Sequence, residues 1–296
     1  MSLDIFYYAN KSSKKNLFSI LIPTWNNLDY LKLCIESIKK NSRYSHQIII
    51  HINEGDDGTH DWVKKQKIDF SYSKENVGIC YALNAASSLV KTPYIVYFND
   101  DMYACPDWDK YLYNEVKIQK DYYFFLSSTL IEPINTKNSC TISPHNFGES
   151  VDTFDEKKLL NNFKFFEKKD WNGATWPPNL VPKKLWDLVG GYSVEYSPGM
   201  YSDPDFSMKL WSFGVRNFKG VGASRVYHFM SKSTKKMNSK ITDGRSIFLR
   251  KWGMSSNIFT SYYLRRGSLW SGPLKKPTIN FFISTRIFFS KLFSNF

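Results

Sequence analysis

The chain has only four cysteines, Cys34, Cys80, Cys105 and Cys140, and no two are spaced as a CxxC pair or a zinc knuckle. Cysteines this sparse in 296 residues read as reduced core thiols. That argues against a disulfide-stapled secreted scaffold and for a cytoplasmic compartment. No run of 18 apolar residues occurs, so no segment is expected to span a bilayer. Met1 to Lys15 lack an apolar run followed by a small-residue cleavage site, so no secretory leader is expected. Acid is scarce in one region only: residues 231–296 hold 13 Lys and Arg against a single acid, Asp243. Residues 1–230 hold 27 basic and 26 acidic side chains, so the formal charge of +13 belongs almost entirely to the last 66 residues. A nearly neutral body argues against a broad polyanion-binding face there.

After a polar lead-in over residues 1–16, apolar runs alternate with helix-periodic segments. Phe18–Pro23, Gln47–Ile52, Ile68–Tyr72, Tyr94–Phe98 and Tyr123–Ser127 read as strands. Between them, a helix after Asn26 or Asn27 has Leu31, Cys34, Ile35 and Ile38 on one face, and further helices are expected to Lys67, over Gly78–Val90 and over Trp108–Lys120. Such alternation predicts an α/β fold with a mostly parallel central sheet flanked by helices. Residues 130–170 have poor periodicity and read as loops around a site. Helices return at Lys183–Val189 and Asp203–Phe213, and Val215–Gly220 reads as a further strand.

In an open α/β sheet, ligands sit beyond the carboxyl ends of the strands. Three polar clusters fall there: Pro23-Thr24-Trp25-Asn26, Asn53 to Thr59, and Asn99-Asp100-Asp101. Adjacent carboxylates repel one another unless a cation or a hydroxyl-bearing ligand joins them, and a hard divalent ion that keeps substrate phosphates as ligands suits such a site. An Asp-Asp pair also closes ordinary turns; here it follows a strongly apolar strand and has two polar neighbours. Two decoys fail: Gly220-Val-Gly-Ala-Ser-Arg225 lacks the third glycine of a dinucleotide fingerprint, and Lys64 stands where a calcium loop needs Glu.

The segments Ile20-Leu-Ile-Pro-Thr-Trp-Asn26, Asn53-Glu-Gly-Asp-Asp-Gly-Thr59, Asn76-Val-Gly78 with Ala82-Leu-Asn84, and Phe98-Asn-Asp-Asp101 resemble the nucleotide-binding half of a family 2 glycosyltransferase with the GT-A fold. Gly190-Gly-Tyr192, Ser202-Asp-Pro-Asp-Phe206 and Val226-Tyr-His228 resemble its acceptor half, so the likeness covers roughly residues 17–230, with 17–128 as the donor half and 129–230 as the acceptor half. The resemblance implies a Rossmann-like GT-A fold and inverting, metal-dependent transfer of a sugar from a nucleotide-sugar, a UDP-sugar foremost. The acceptor would be a hydroxyl of a glycan or lipid-linked molecule, in cell-surface polysaccharide or lipopolysaccharide synthesis. It implies Asp101 and His228 as ligands of Mg²⁺ or Mn²⁺, and Asp100 at the donor ribose or sugar. Pro23, Thr24, Trp25, Asn26, Glu54, Asn76, Gly78, Asn84 and Asn99 would complete the donor site. Asp203 matches the catalytic base, with Asp205 the second candidate, because the usual Glu-Asp motif here reads Ser202-Asp203-Pro204-Asp205. The nucleobase loop is one residue short of the usual pattern, which leaves the base open.

Trp171 and Trp176 are candidates for an acceptor platform, because aromatic faces pack against sugar C–H faces; core packing is the other use of a tryptophan. A nucleotidyltransferase on a related sheet is the rival enzyme, but Pro23-Thr-Trp-Asn26 lacks its Gly-rich basic loop. A non-catalytic carbohydrate- or nucleic-acid-binding protein is the rival outside enzymes.

The basic region 231–296 is aromatic-rich and carries pairs at Lys235-Lys236, Arg250-Lys251, Arg265-Arg266 and Lys275-Lys276. Over residues 281–296, Phe281, Phe282, Phe288, Phe289, Leu292, Phe293 and Phe296 fall within ~140° of one another on a helical wheel. This predicts an amphipathic helix on an anionic membrane, peripheral at the inner face of the cytoplasmic membrane. Docking on the chain's own core or a homodimer contact are the alternatives. Nucleic acid is not an expected partner.

Overall fold

The computed structural model describes residues 4–10, 15–230, 243–278 and 281–292. Ten strands form one sheet: β1 (Ile5–Tyr8), β2 (Ser19–Trp25), β3 (Gln47–Asn53), β4 (Asp69–Ser73), β5 (Tyr94–Tyr97), β6 (Met102–Ala104), β7 (Phe124–Ile131), β8 (Trp171–Asn172), β9 (Asn179–Pro182) and β10 (Asn217–His228). Helices α1 (Leu28–Asn41), α2 (Thr59–Lys65), α3 (Gly78–Ser87), α4 (Trp108–Lys117), α5 (Glu156–Asn162), α6 (Lys183–Val189), α7 (Ser202–Ser212), α8 (Gly244–Trp252), the single turn α9 (Ser256–Ile258) and α10 (Phe281–Leu292) complete it.

The strand order is β1-β4-β3-β2-β5-β9-β7-β10-β6, with β8 paired to β10. The parallel sheet expected from the alternation forms over β4-β3-β2-β5. Beyond β5 the sheet is mixed, because β9 runs antiparallel to both β5 and β7. Period-two alternation sorts the buried strand residues: Leu21 faces one core, while Ile20 and Ile22 face the other. The expected face of α1, with Leu31, Cys34, Ile35 and Ile38, is wholly buried in the second of these cores. All four cysteines are buried free thiols, matching the sequence reading.

Several segments differ from the sequence expectation, among them α5, which lies in the stretch read as loops. The polar lead-in supplies the edge strand β1, whose Tyr8 stacks on Phe70 at 5.3 Å. The strand expected to end at Gly220 runs on to His228, so Val226-Tyr-His228 belongs to β10. Part of the basic region is woven into the body: Phe248, Ile258, Phe259, Tyr263, Leu264 and Leu274 join the core shared by Leu21, Phe206 and Trp211. Each such side chain contributes about 1.5–3 kcal/mol of burial. Lys235-Lys236, Phe293 and Phe296 lie outside the described residues.

The glycines of the false fingerprint have a packing cause. A Cβ at Gly220 of β10 would lie 1.8 Å from the Trp171 ring, so only glycine lets β8 and β10 close. We predict that Gly220→Ala destabilises the protein by at least about 1–3 kcal/mol, the usual cost of overpacking. Urea denaturation checks this; an unchanged midpoint contradicts the packing.

Candidate active site

The carboxyl ends of the strands open into a cavity of about 580 Å³. At the β2 and β3 end its wall is Pro23, Thr24, Trp25 and Asn53, with Asn76 and Gly78 at the start of α3. Gly78 has φ +77°, and a Cβ there would lie 2.6 Å from Pro198 Cα, so its glycine lets α3 meet the Pro198 loop. Asn99, Asp100 and Asp101 follow β5 in the middle of the wall, with His228 from the end of β10. Glu132, Trp171, Trp176 and Thr141 line the far end, and Asp203 enters from the first turn of α7.

The polar contacts pin these groups individually. Thr24 Oγ1 donates to Asp100 Oδ2 at 2.7 Å. Burial, then the charge of Asp101, push the Asp100 carboxyl up to about 7, and the Thr24 bond only tempers this. His228 stands between two carboxylates: Nε2 is 3.5 Å from Asp101 Oδ2 and Nδ1 is 3.5 Å from Glu132 Oε1. Burial alone lowers the imidazole, but Asp101 and Glu132 outweigh it and push it up to about 10. Tyr192 Oη donates to Asp203 Oδ1 at 2.9 Å. Desolvation pushes Asp203 up to about 7, against the lowering effect of that bond.

The two candidate bases separate. Asp203 lines the cavity, whereas Asp205 is fully buried behind it and bonded to Ser193 and Trp252. The lining also omits Asn26, Glu54 and Asn84. Glu54 Oε2 accepts from Trp25 Nε1 at 2.7 Å and from Asn26 Nδ2 at 3.0 Å, and Asn26 Oδ1 accepts the backbone N–H of Gly55 and Asp56. This pair braces the loops behind Trp25. Asn84 brackets the backbone of Tyr192, donating to its carbonyl at 2.7 Å and accepting its N–H at 2.9 Å. It thereby fixes the tyrosine that holds Asp203.

The sequence reading missed Glu132 and Tyr192, along with Tyr97 and Ser128 of the lining, and gave Asn53 only as the start of a strand-end cluster, with no role of its own. Glu132 directly follows β7, so the strand-end rule finds it once that strand is drawn past Ser127. Tyr192 lay inside the resembling Gly190-Gly-Tyr192 segment but carried no assigned role.

Asp203 also gives a stability signature. An unfolded aspartate titrates near about 3.9, so between that pH and about 7 the folded chain holds a proton that the unfolded chain releases. Stability is therefore lost as pH rises through this window. Asp203→Asn, which keeps an acceptor for Tyr192, should raise Tm relative to the native chain at pH 8 and by less at pH 5. Differential scanning fluorimetry reads this, and an equal or opposite Tm change at the two pH values contradicts the buried-carboxyl account.

Residues 19–165 match the model of glycosyl transferase family 2. No curated protein matches the chain. Among solved structures, the chain is similar to S. aureus TarS residues 1–349, at 14% identity and TM-score 0.50, over 72% of this chain and 60% of that one. It is also similar to GalNAc-T7 with UDP, GalNAc and Mn2+, at 13% identity and TM-score 0.53, over 73% of this chain and 44% of that one. The chain thus spans less than two thirds of either, and at such identities the likeness is one of fold. Residues 19–165 thus form a glycosyl transferase family 2 segment, and the sheet that carries the cavity has the GT-A fold.

Proposed function

We propose that the protein transfers a sugar, with inversion, from a nucleotide-sugar to a hydroxyl of a glycan or lipid-linked acceptor, using a divalent metal. The observation that carries this reading is that Asp203 opens into the same cavity as Asp100, Asp101 and His228. A single chamber can then hold a leaving diphosphate at one end and a proton acceptor at the other.

The division of labour follows from the chemistry of each group. Thr24, Trp25, Asn53 and Asn76 offer an amphipathic slot for the nucleoside, with UDP the foremost candidate. GalNAc-T7, which shares this fold, carries UDP and Mn2+ in its structure. Asp100 would accept a ribose or sugar hydroxyl. Trp176 would offer an apolar face to the acceptor ring; Trp171 is used as core instead, its ring buried against Gly220 and its Nε1 donating to Thr129 Oγ1 at 2.9 Å. Asp203 would take the proton from the acceptor hydroxyl as its oxygen attacks the anomeric carbon opposite the departing diphosphate. Its pKa near 7 suits a base at neutral pH.

Among the described residues no cluster of three or more His, Cys, Asp or Glu is arranged to hold a metal by itself. The donor set still fits a hard cation: the Asp101 carboxylate and the His228 imidazole, once the ion has displaced its proton, supply two ligands, and Mg²⁺ or Mn²⁺ commonly takes the others from substrate phosphates and water. Asp101 and His228 would hold the ion, which when bound neutralises charge developing on the leaving diphosphate.

We further propose that α10 keeps the enzyme at an anionic membrane surface, where a lipid-linked acceptor would be presented for cell-surface polysaccharide or lipopolysaccharide synthesis. On α10, Phe281, Phe288 and Phe289 are 85%, 60% and 54% exposed. Ile287 on the opposite side packs against the body, and Arg286 Nη1 donates to Tyr262 Oη at 2.9 Å. No described helix is long and apolar enough to cross a bilayer, so this contact would be peripheral.

Two outcomes are expected. In a thermal-shift screen of nucleoside diphosphates with Mn²⁺, UDP should raise Tm most, since a ligand at 100 times its Kd adds about 2.7 kcal/mol. Asp101→Asn should lose the Mn²⁺-dependent part of that shift; a shift unchanged in this variant contradicts the metal assignment. In co-sedimentation, the full chain should bind anionic vesicles more than a chain ending at residue 269 does. Equal binding sinks the membrane role and leaves the homodimer contact as the use of that face.

A further inference from the structure

Residues 203 and 205 stand about 200° apart around a helix. When Asp203 of α7 faces the cavity, Asp205 therefore faces the opposite side, where α8 lies. The Asp205 carboxylate is 0% exposed. It accepts from Ser193 Oγ at 2.6 Å and from Trp252 Nε1 at 2.7 Å, and it pairs with Lys251 Nζ at 3.0 Å. Lys251 also donates to Ser193 Oγ at 2.9 Å and to Glu195 Oε1 at 2.7 Å. At its other end, α8 abuts the turn that starts α7: a Cβ at Gly244 would lie 2.4 Å from the Met200 carbonyl. One helix thus touches the start of α7 at one end and grips its first turn at the other.

We propose that Lys251 and Trp252, which lie outside the family-matching residues 19–165, are positioning residues that grip Asp205 and so set the rotation of the first turn of α7 that aims Asp203. This rests on the reading of Asp203 as the base. The first turn of α7 carries a carboxylate on each side: Tyr192 holds one, and three donors hold the other. Rotating the helix breaks bonds on both sides at once. A one-sided loss lets it turn, and a misplacement of about 1 Å costs about a hundredfold in rate.

The grip is also electrostatic. Around Asp205 stand Lys251 and Trp252 from α8, Ser193, Glu195 and Tyr196 from the segment before α7, Cys80 from α3, and Lys209 from its own helix, tied to the Gly191 carbonyl. Around Asp203 stand Tyr192, Tyr97 and Cys80. Lys251 is the cation in direct contact with Asp205, so removing its charge leaves a negative neighbour two residues from Asp203. A like charge disfavours ionisation, and the Asp203 titration should move to higher pH.

The test uses full-length protein with Trp252→Phe, Lys251→Met, Lys251→Arg and Ser193→Ala, the last removing only one donor to Asp205. Two quantities are read: UDP release from UDP-sugars with Mn²⁺ as kcat and KM, and the Asp203 titration by ¹³C-carboxyl NMR, assigned with Asp203→Asn. We expect Trp252→Phe to lower kcat about ten- to a hundredfold with KM for the donor little changed. Lys251→Met should lower kcat and raise the Asp203 midpoint, and Lys251→Arg should restore both. If Lys251→Met does not fold, Ser193→Ala must still lower kcat at constant KM. Unchanged kcat in these variants, or losses that follow only the folded fraction with an unmoved Asp203 midpoint, overturn the proposal. Full activity of Asp203→Asn overturns the base assignment instead; the NMR midpoint remains readable in that case and reports on the Lys251 grip alone.

Discussion

Four carboxylates, Asp100, Asp101, Glu132 and Asp203, open into one cavity, and holding them there against desolvation and mutual repulsion is the constraint on which the rest of the structure depends. Each is managed by a different device. Asp100 is tempered by the Thr24 hydroxyl, Asp101 and Glu132 share the His228 imidazole, and Asp203 leans on the Tyr192 hydroxyl. Among the described residues, the cavity lining contains no lysine or arginine. A cation, or a ligand rich in hydroxyl groups, suits a wall of clustered carboxylates.

The sheet turns that constraint into geometry. Parallel β2, β3, β4 and β5 deliver their carboxyl ends to one rim, which puts Thr24, Asn53 and Asp100 side by side. Antiparallel β9 then joins β5 to β7, bringing Glu132 and Trp176 to the same rim from a later part of the chain. The supporting contacts are long-range. Asn84 of α3 fixes Tyr192 from 108 residues away, and Trp252 reaches Asp205 from 47 residues away. The basic C-terminal region therefore has two characters: its middle is core and scaffold for α7, while α10 turns aromatic side chains outward.

Much of this was legible in the sequence. Apolar runs closed by polar clusters located the strand ends that carry Thr24, Asn53 and Asp100–Asp101, because a strand buried on both faces leaves a strong local signal. Position-specific packing left no such signal. The four residues of β9 follow Pro177-Pro178 and end on Pro182, and these prolines read as breakers, so the antiparallel insertion was invisible. Glu132 sat in a stretch without periodicity. Lys251 was counted as half of a basic surface pair, yet its ammonium meets a fully buried carboxylate. Counting charge by segment located the excess but not the partners of individual residues. The choice between Asp203 and Asp205 likewise needed the helix in place, since spacing alone puts them on opposite faces without saying which face meets the cavity.

The central claim is that one cavity holds a departing nucleoside diphosphate and, across from it, a carboxylate base. Its most direct test is the anomeric configuration of the first-formed product, read by ¹H NMR from the coupling constant at the anomeric proton. A single displacement assisted by Asp203 predicts a product of opposite configuration to the donor. A product that keeps the donor configuration would require a different attack geometry and would contradict the account.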